Sequence, residues 1–316
     1  MPALMGFLRS LARRQGPISV REPTEEDMPA IETLAQRSPY AYSGYGGAMR
    51  EALHDDITLT AWQEEALAGF TMAHQQGPAA AWIYAFGLAE DVSPSTVSKV
   101  LLEALEGRGA QRGVTQIGYM DEYSLSWLRR ILEDGGFRRH TRVVGYEAPA
   151  GTPAEWGNRA VQVRPARPKD IAAITVVDHP AFGPLWAYGE QVFYNVLGEA
   201  ACLDVAEQEG QIVGYILGMI HRGSHAHVVR LAVHPDWQGQ GIGTRLLAEA
   251  FTLFRSQGMK WVSLNTQEEN YRSQHLYRRF GFQPTGQEVG VWVKAITPPA
   301  AADTAPPPAP SSSPPR

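Results

Sequence analysis

The chain repeats itself, and no other feature narrows its possible folds as much. Ile18-Ser-Val-Arg-Glu-Pro-Thr-Glu-Glu-Asp27 resembles Val161-Gln-Val-Arg-Pro-Ala-Arg-Pro-Lys-Asp170, Ala66-Leu-Ala-Gly-Phe-Thr-Met72 resembles Gln211-Ile-Val-Gly-Tyr-Ile-Leu217, and Gly136-Phe137 resembles Gly281-Phe282. The offsets are 143, 145 and 145, so order and spacing are both kept and duplication is the simplest reading. An internal repeat decides architecture before any single motif does. The 316 residues suffice for two domains of about 150 residues, each with a sizeable core.

The second copy displays the unit best. Alternating apolar positions predict strands near 161–164, 202–207, 211–220 and 226–233, with Glu209-Gly210 as a hairpin turn. From Gly243 the period becomes helical: Leu246, Leu247, Ala250, Phe251 and Phe254 share one face until Gly258 ends the run. A strand at 261–266, a helix at 270–279 and a last strand at 288–294 complete the unit. The fold class is therefore α/β (α+β), with two tandem domains, each a mixed, largely antiparallel sheet flanked by helices. We place the first domain at 17–147, a linker rich in Pro, Gly and small residues at 148–158, and the second domain at 159–296. Residues 1–16 set Leu4, Leu8 and Leu11 on one face among arginines, the pattern of a leader or a surface helix. Residues 297–316, dominated by Pro, Ala and Ser, form an expected disordered tail.

Lys and Arg number 28 against 33 Asp and Glu, a net charge of −5. No broad cationic field is then available for nucleic acid or an anionic membrane. No run approaches the roughly 20 apolar residues that span a bilayer. The single cysteine, Cys202, allows neither an intrachain disulfide nor a multi-thiolate zinc site and suits a reducing, cytoplasmic setting.

The stretch Leu231-Ala-Val-His-Pro-Asp-Trp-Gln-Gly-Gln-Gly-Ile-Gly-Thr-Arg-Leu-Leu247 passes from a strand through a Gly-rich loop into an amphipathic helix. Glycines leave backbone N–H groups uncovered and reach positive φ. At a helix N-terminus, such N–H groups and the macrodipole together make an anion site, with phosphate the obvious occupant. A Walker loop needs a Gly-Lys-Ser/Thr that Gly243-Thr244 lacks, and Gly239-x-Gly241-x-Gly243 has the wrong spacing for a Rossmann fingerprint. Gln238-x-x-Gly241-x-Gly243 instead resembles the pyrophosphate loop, Gln/Arg-x-x-Gly-x-Gly/Ala, of the GNAT superfamily of acyl-CoA-dependent N-acyltransferases. Downstream, Asn270-Tyr-Arg-Ser-Gln-His-Leu-Tyr-Arg-Arg-Phe-Gly-Phe282 is similar to that superfamily's second signature. The resemblance covers 161–294 directly and 18–147 through the repeat. The competing reading is a helix-capping glycine loop in another α/β fold.

The resemblance implies a splayed sheet in which the pantetheine arm of acetyl-CoA, the co-substrate, lies beside Leu231, Ala232 and Val233 like an added strand. The diphosphate then rests on the loop that follows Gln238, formed by Gly239, Gln240, Gly241, Ile242, Gly243 and Thr244. Asn270 is both N-cap and cofactor contact, and Ser273 is a weaker contact. The implied reaction is N-acetyl transfer from acetyl-CoA, by direct attack, to a primary amine of a small molecule or a protein N-terminus. The alternative is an acyl-CoA-binding regulatory module without turnover.

Such chemistry needs an uncharged amine, a donor for the oxyanion and a proton for the departing thiolate. Tyr277 stands where the superfamily commonly places its general acid; the plain alternative is a core tyrosine. For the base the sequence offers His227, with His225 weaker. Period-two alternation puts both on one strand face with Val229, Leu231 and Val233. A hydrogen-bonded structural histidine is the alternative there. His221 and His234 stand nearby, but no carboxylate joins the four, and we assign no metal. The expected acceptor wall is a loop at 178–188, in which Phe182 and Trp186 line the pocket or fill the core, and Asp178 meets an ammonium or ends a helix.

Shifted by 145, the first copy has Ser93-Pro-Ser-Thr-Val-Ser98 for the glycine loop, Trp82 for His227 and Leu132 for Tyr277. It reads as a degenerate half that supports its partner and walls the acceptor site, as in tandem members of the superfamily with only a working C-terminal half. The chain is then a monomer of pseudo-dimeric halves, or a homodimer.

Overall fold

A computed structural model of the chain describes residues 14–44, 57–152, 156–220 and 223–297. Most of the leader expected at 1–16 and of the tail expected at 297–316 lies outside the described residues, as does His221. The first half runs β1 (Ile18–Arg21), α1 (Met28–Arg37), β2 (Ala41–Ser43), β3 (Ile57–Gln63), β4 (Ala66–His74), β5 (Ala80–Leu88), α2 (Pro94–Gln111), β6 (Gln116–Asp121), α3 (Ser126–Asp134) and β7 (Arg138–Pro149). The second runs β8 (Gln162–Pro165), α4 (Ile171–Trp186), α5 (Glu190–Val196), β9 (Cys202–Gln208), β10 (Gln211–Ile220), β11 (His225–Val233), α6 (Ile242–Ser256), β12 (Trp261–Gln267), α7 (Tyr271–Arg279) and β13 (Gln283–Ala295).

The duplication extends to a side-chain pair. Arg21 donates twice to Asp27, at 2.6 and 2.8 Å, and Arg164 twice to Asp170, at 2.7 and 3.2 Å. Each carboxylate also accepts a backbone N–H three residues before it, from Thr24 at 2.7 Å and Arg167 at 2.8 Å. The pair thus locks the end of the opening strand to the start of the first helix in both halves. Hydrogen bonds from Arg21 hold the Asp27 carboxyl down at about 2, and those from Arg164 lower Asp170 likewise.

All the strands among the described residues form one sheet, in the order β1-β3-β4-β5-β6-β13-β7-β12-β11-β10-β9-β8, with β2 branching onto β5. A half closed on itself would place β7 beside β6 and β13 beside β12. Instead β13 pairs with β6, from Gly290↔Asp121 to Ala295↔Gln116, and β7 pairs with β12, from Trp261↔Pro149 to Gln267↔Val143. The two final strands are exchanged between the halves and pair with each other at the centre. Ala148 and Pro149, assigned from sequence to the linker, close β7 against Val262 and Trp261.

Helices cover both faces. α2 and α3 pack on one side of the first half and α1 on the other; α6 and α7 pack on one side of the second half and α4 and α5 on the other. The apolar stripe expected of α6 is buried throughout, at Leu246, Leu247, Ala250, Phe251 and Phe254. Each large side chain of that kind contributes about 1.5–3 kcal/mol on burial. Glu209 and Gly210 take φ of 53° and 77°, the left-handed pair that a two-residue hairpin turn requires.

Candidate active site

β11 and β12 pair in parallel only from His225↔Trp261 to Val228↔Leu264. Beyond that point a cleft of about 820 Å³ opens, lined by Leu231, Ala232 and Val233 on one side and Gln267 on the other. It runs onto the glycine loop, where Gly239 and Gly241 take φ of 82° and 77°. Gly241 is the N-cap of α6 and brings no side chain to cap this end, and no acidic residue stands in the first turn. The leading N–H groups of a long helix therefore face the cleft with the positive end of its dipole. Gly241 is also crowded: a Cβ there would stand 3.2 Å from the Asn158 nitrogen. Side chains are thus kept away from this backbone by conformation and by space. A second cavity, of about 590 Å³ between β8, β9 and α6, holds none of the candidate site residues.

Of the residues assigned from sequence to the co-substrate, Gly239, Gly241, Ile242, Gly243, Thr244, Asn270 and Ser273 line the cleft with Gln238, and Gln240 does not. The Gln238 side chain works within the protein. Its Nε2 donates to the Val233 carbonyl at 2.9 Å and its Oε1 accepts from Arg272. Asn270 Oδ1 accepts the Ser273 N–H at 3.2 Å as the N-cap of α7, while its Nδ2 donates to Thr266 at 3.1 Å. Arg272, which sequence reasoning passed over, brings a guanidinium to the loop: its Nη2 lies 3.7 Å from where a Gly239 Cβ would be.

Strand alternation misplaced the histidines. β10 and β11 pair Leu217↔Arg230 and then Gly218↔Val228, which leaves Val229 as an extra, bulged residue. The bulge inverts the alternation. Leu231 and Val233 join Ala226 and Val228 on the α6 side, whereas His225 and His227 share the α4 side with Arg230 and Ala232. His227 Nδ1 is 2.9 Å from Ser263 Oγ on β12, and His225 Nε2 is 3.6 Å from a Glu147 oxygen on β7. Tyr277 packs into the α6 side of the core against Tyr146 and Phe282. Its hydroxyl meets Ser273, and burial pushes it up to about 12. Neither His227 nor Tyr277 is among the residues that line the cleft; Ser273 is.

The acceptor wall expected as a loop is largely helix. α4 continues to Trp186 through Pro180, breaks at Gly183 (φ 71°, ψ 175°) and resumes with Pro184, a residue whose fixed φ suits a helix start. Ala181, Phe182 and Trp186 from this segment line the cleft. Asp178 neither ends the helix nor faces the cleft. Fully buried, it accepts from Arg230 Nε at 2.6 Å and Nη2 at 3.0 Å, from the Tyr188 N–H at 2.8 Å and from the Tyr215 hydroxyl. The Arg230 guanidinium lies 3.7 Å from the ring centroids of both Phe182 and Tyr188. This network ties β11 to the wall. Glu269, likewise missed from sequence, also lines the cleft.

The first half splays at the same place, its β5–β6 pairing ending at Ile83↔Tyr119. There β2 pairs along β5, Ala41↔Gly87 to Ser43↔Ala85, beside the counterparts of 230–232. Gly44 N–H donates to the Tyr84 carbonyl at 2.7 Å and Leu88 N–H to the Tyr40 carbonyl at 3.0 Å. α2 starts at Pro94, three residues ahead of the counterpart of Ile242. Helix thus replaces the glycine loop, and the chain's own strand takes the splay.

Residues 173–282 match the model of the acetyltransferase (GNAT) family. The chain is 30% identical over 126 residues to the putative ribosomal protein bS18-alanine N-acetyltransferase of Bacillus subtilis (strain 168), covering 39% of this chain and 82% of that protein. It is 35% identical over 95 residues to a mycothiol acetyltransferase of Cellulomonas flavigena, covering 27% of each, so only about a quarter of that relative's length is matched. A crystal structure of a GCN5-related N-acetyltransferase from Sphaerobacter thermophilus superposes with a TM-score of 0.55 at 17% identity, over 90% of this chain and 98% of that one. Another, from Kribbella flavida, gives 0.62 at 15%, over 88% and 71%. These structures share the fold across both halves. The chain belongs to the GNAT family of acetyltransferases: it is an acyl-CoA-dependent N-acyltransferase, and its acceptor is of the amine type. The family generally uses acetyl-CoA as co-substrate. Among the described residues, no helix is long and apolar enough to cross a membrane.

Proposed function

We propose that the second half carries the activity, transferring the acetyl group of acetyl-CoA to a primary amine of a small molecule or of a protein N-terminus in the cytoplasm, while the first half binds no acetyl-CoA. The observation behind this reading is the cleft that ends on an uncapped helix start with two glycines at positive φ. A diphosphate suits this backbone, since φ and the contact with Asn158 keep Gly241 without a side chain and leave the leading N–H groups of α6 bare. Backbone groups of Leu231, Ala232 and Val233 hold the pantetheine arm, and the N–H groups of 239–244, with Arg272, hold the diphosphate. Asn270 and Ser273 bound the arm from α7. When bound, acetyl-CoA supplies an acetyl thioester.

Tyr277 keeps its proton at neutral pH because burial raises its hydroxyl to about 12. It donates that proton toward the departing sulfur by way of Ser273, which lines the cleft. His227, on the face that also bears the acceptor wall and fixed by Ser263, takes a proton from the acceptor ammonium through water, since it does not itself line the cleft. The relatives named above carry different acceptors in their names, which supports the class of reaction rather than one acceptor. The test is calorimetry with acetyl-CoA, followed by free-thiol release over a panel of amines. Undiminished acetyl-CoA binding by Gly241→Glu overturns the cradle, and thiol release with no amine overturns the transfer.

A further inference from the structure

Two groups that line the second-half cleft are held in place by the first half. On the α4 side, Trp186 stacks on Trp82 of β5, with ring centroids 4.8 Å apart and planes at 37°. Both rings belong to a cluster with Leu185, Val143 and Val291. The connection after α4 is fixed from the same source: Gly189 N–H donates to the Gln76 carbonyl at 2.7 Å. Gly77 lies so close beneath this connection that a Cβ there would stand 2.0 Å from the Ala187 carbonyl oxygen. On the β12 side, Thr141 Oγ1 of β7 donates to Glu269 Oε2 at 2.6 Å. Glu269 is the sole carboxylate among the described residues lining the cleft. Trp82 Nε1 is buried without a hydrogen-bond partner, a cost that an apolar residue in the same place avoids.

We infer that the first half is the specificity element of this enzyme: through Trp82 and Thr141 it positions an aromatic wall and a carboxylate that together select a primary ammonium carrying a flat apolar group. This rests on the reading that the second half acetylates amines. An ammonium at Glu269 meets the one anionic side chain among the described residues lining the cleft, and Trp186 and Phe182 add apolar ring surface to the same lining. A hydroxyl-bearing acceptor would leave its hydroxyl against those rings unpaired. Trp82 occupies the repeat position of His227, so one duplicated strand position serves as proton acceptor in one half and as support for the acceptor wall in the other. Trp82 and Thr141 do not line the cleft themselves and act as positioning residues.

The test compares 2-phenylethylamine with ethanolamine in the full-length chain, by thiol release at saturating acetyl-CoA and by acetyl-CoA affinity. The unaltered chain favours 2-phenylethylamine in kcat/KM by more than about tenfold. Thr141→Val, similar in shape but without the hydroxyl, raises KM for both amines by about tenfold while kcat and acetyl-CoA affinity hold. Trp82→Ala brings the ratio between the amines toward one, and Trp82→Phe lowers it by less. If Trp82→Ala fails to fold, Thr141→Val and Trp82→Phe carry the test. No preference for 2-phenylethylamine, or KM and ratio unmoved in both Thr141→Val and Trp82→Phe, overturns the assignment while amine acetylation stands. Thiol release with no amine at all overturns the underlying reading and the assignment together.

Discussion

The two halves share an element order, an Arg–Asp fastening and a splay between their central parallel strands, yet one splay is an open cleft and the other is filled. In the second half, β11 leaves β12 and the chain turns through bare glycines into α6. In the first, β2 lies along β5 and α2 begins a turn early at Pro94. The two copies thus keep one frame and differ by local means: a strand that satisfies the backbone of β5, and a helix start that puts Pro94 and side chains where the second half has bare glycines. Fold and site are separable quantities, and this chain contains the demonstration within itself.

The contrast is most exposed at the glycine loop. We expect one acetyl-CoA per chain by calorimetry, and Gly241→Glu to weaken it by more than about 100-fold through strain, crowding and like charge. Two equivalents bound, or binding kept in the variant, would erase the difference between the halves. Tyr277→Phe, which gives the second half a side chain as inert as Leu132 at the same repeat position, should lower kcat by about 100-fold with acetyl-CoA affinity kept. Because burial raises the Tyr277 hydroxyl to about 12, it holds its proton until that pH. Loss of activity on its account should therefore be absent from profiles run up to about pH 10.

Arg230 and Asp178 have Ala85 and Ala35 as first-half counterparts, at the offsets of 145 and 143 that hold for their segments, so the buried pair belongs to the second half alone. Arg230→Met strands the Asp178 carboxylate and should cost about 3–5 kcal/mol, read as a fall in Tm; an unmoved Tm would remove the network from the account of the wall. Gly77→Ala forces a Cβ toward the Ala187 carbonyl and should cost about 1–3 kcal/mol, with a weaker amine KM as the sign that the halves have been pried apart. The smallest effect belongs to the shared fastening. Asp27→Asn should cost about 1–2 kcal/mol near neutral pH. The Asp27 carboxyl is held at about 2, below its ordinary 3.8. The unfolded chain therefore binds the proton first as pH falls. The contribution is present above about 4 and disappears as pH drops through about 2, so variant and parent should converge in acid melts.

The repeat, the hairpin turn at Glu209-Gly210, the α6 stripe and the glycine loop were legible in the sequence because each is a local pattern set by side-chain period or by φ. What escaped was non-local. The bulge at Val229 leaves no mark in an apolar strand, yet it moves His225 and His227 to the face opposite Leu231 and Val233. The resemblance implied a loop at 178–188, but packing of Phe182 and Tyr188 around Arg230 holds this stretch as a kinked helix. Glu269 immediately precedes the second signature and Arg272 lies inside it at an unspecified position, so neither is marked by the signature's own residues. β2 escaped because its pairing with β5 lies in chain that has no counterpart among the repeated segments.

The exchange of β7 and β13 has a consequence for how the molecule comes into being. The register joining β13 to β6 links residues about 170 positions apart, a separation that makes the encounter late and slow. While the ribosome is still working, β6 has no partner on one edge and β7 has neither neighbour, so the first half waits, with open strand edges of the kind that invite association with other chains. Cutting the chain at the linker would leave two fragments, each holding a strand the other requires. They should become ordered only when mixed, each completing the sheet of the other.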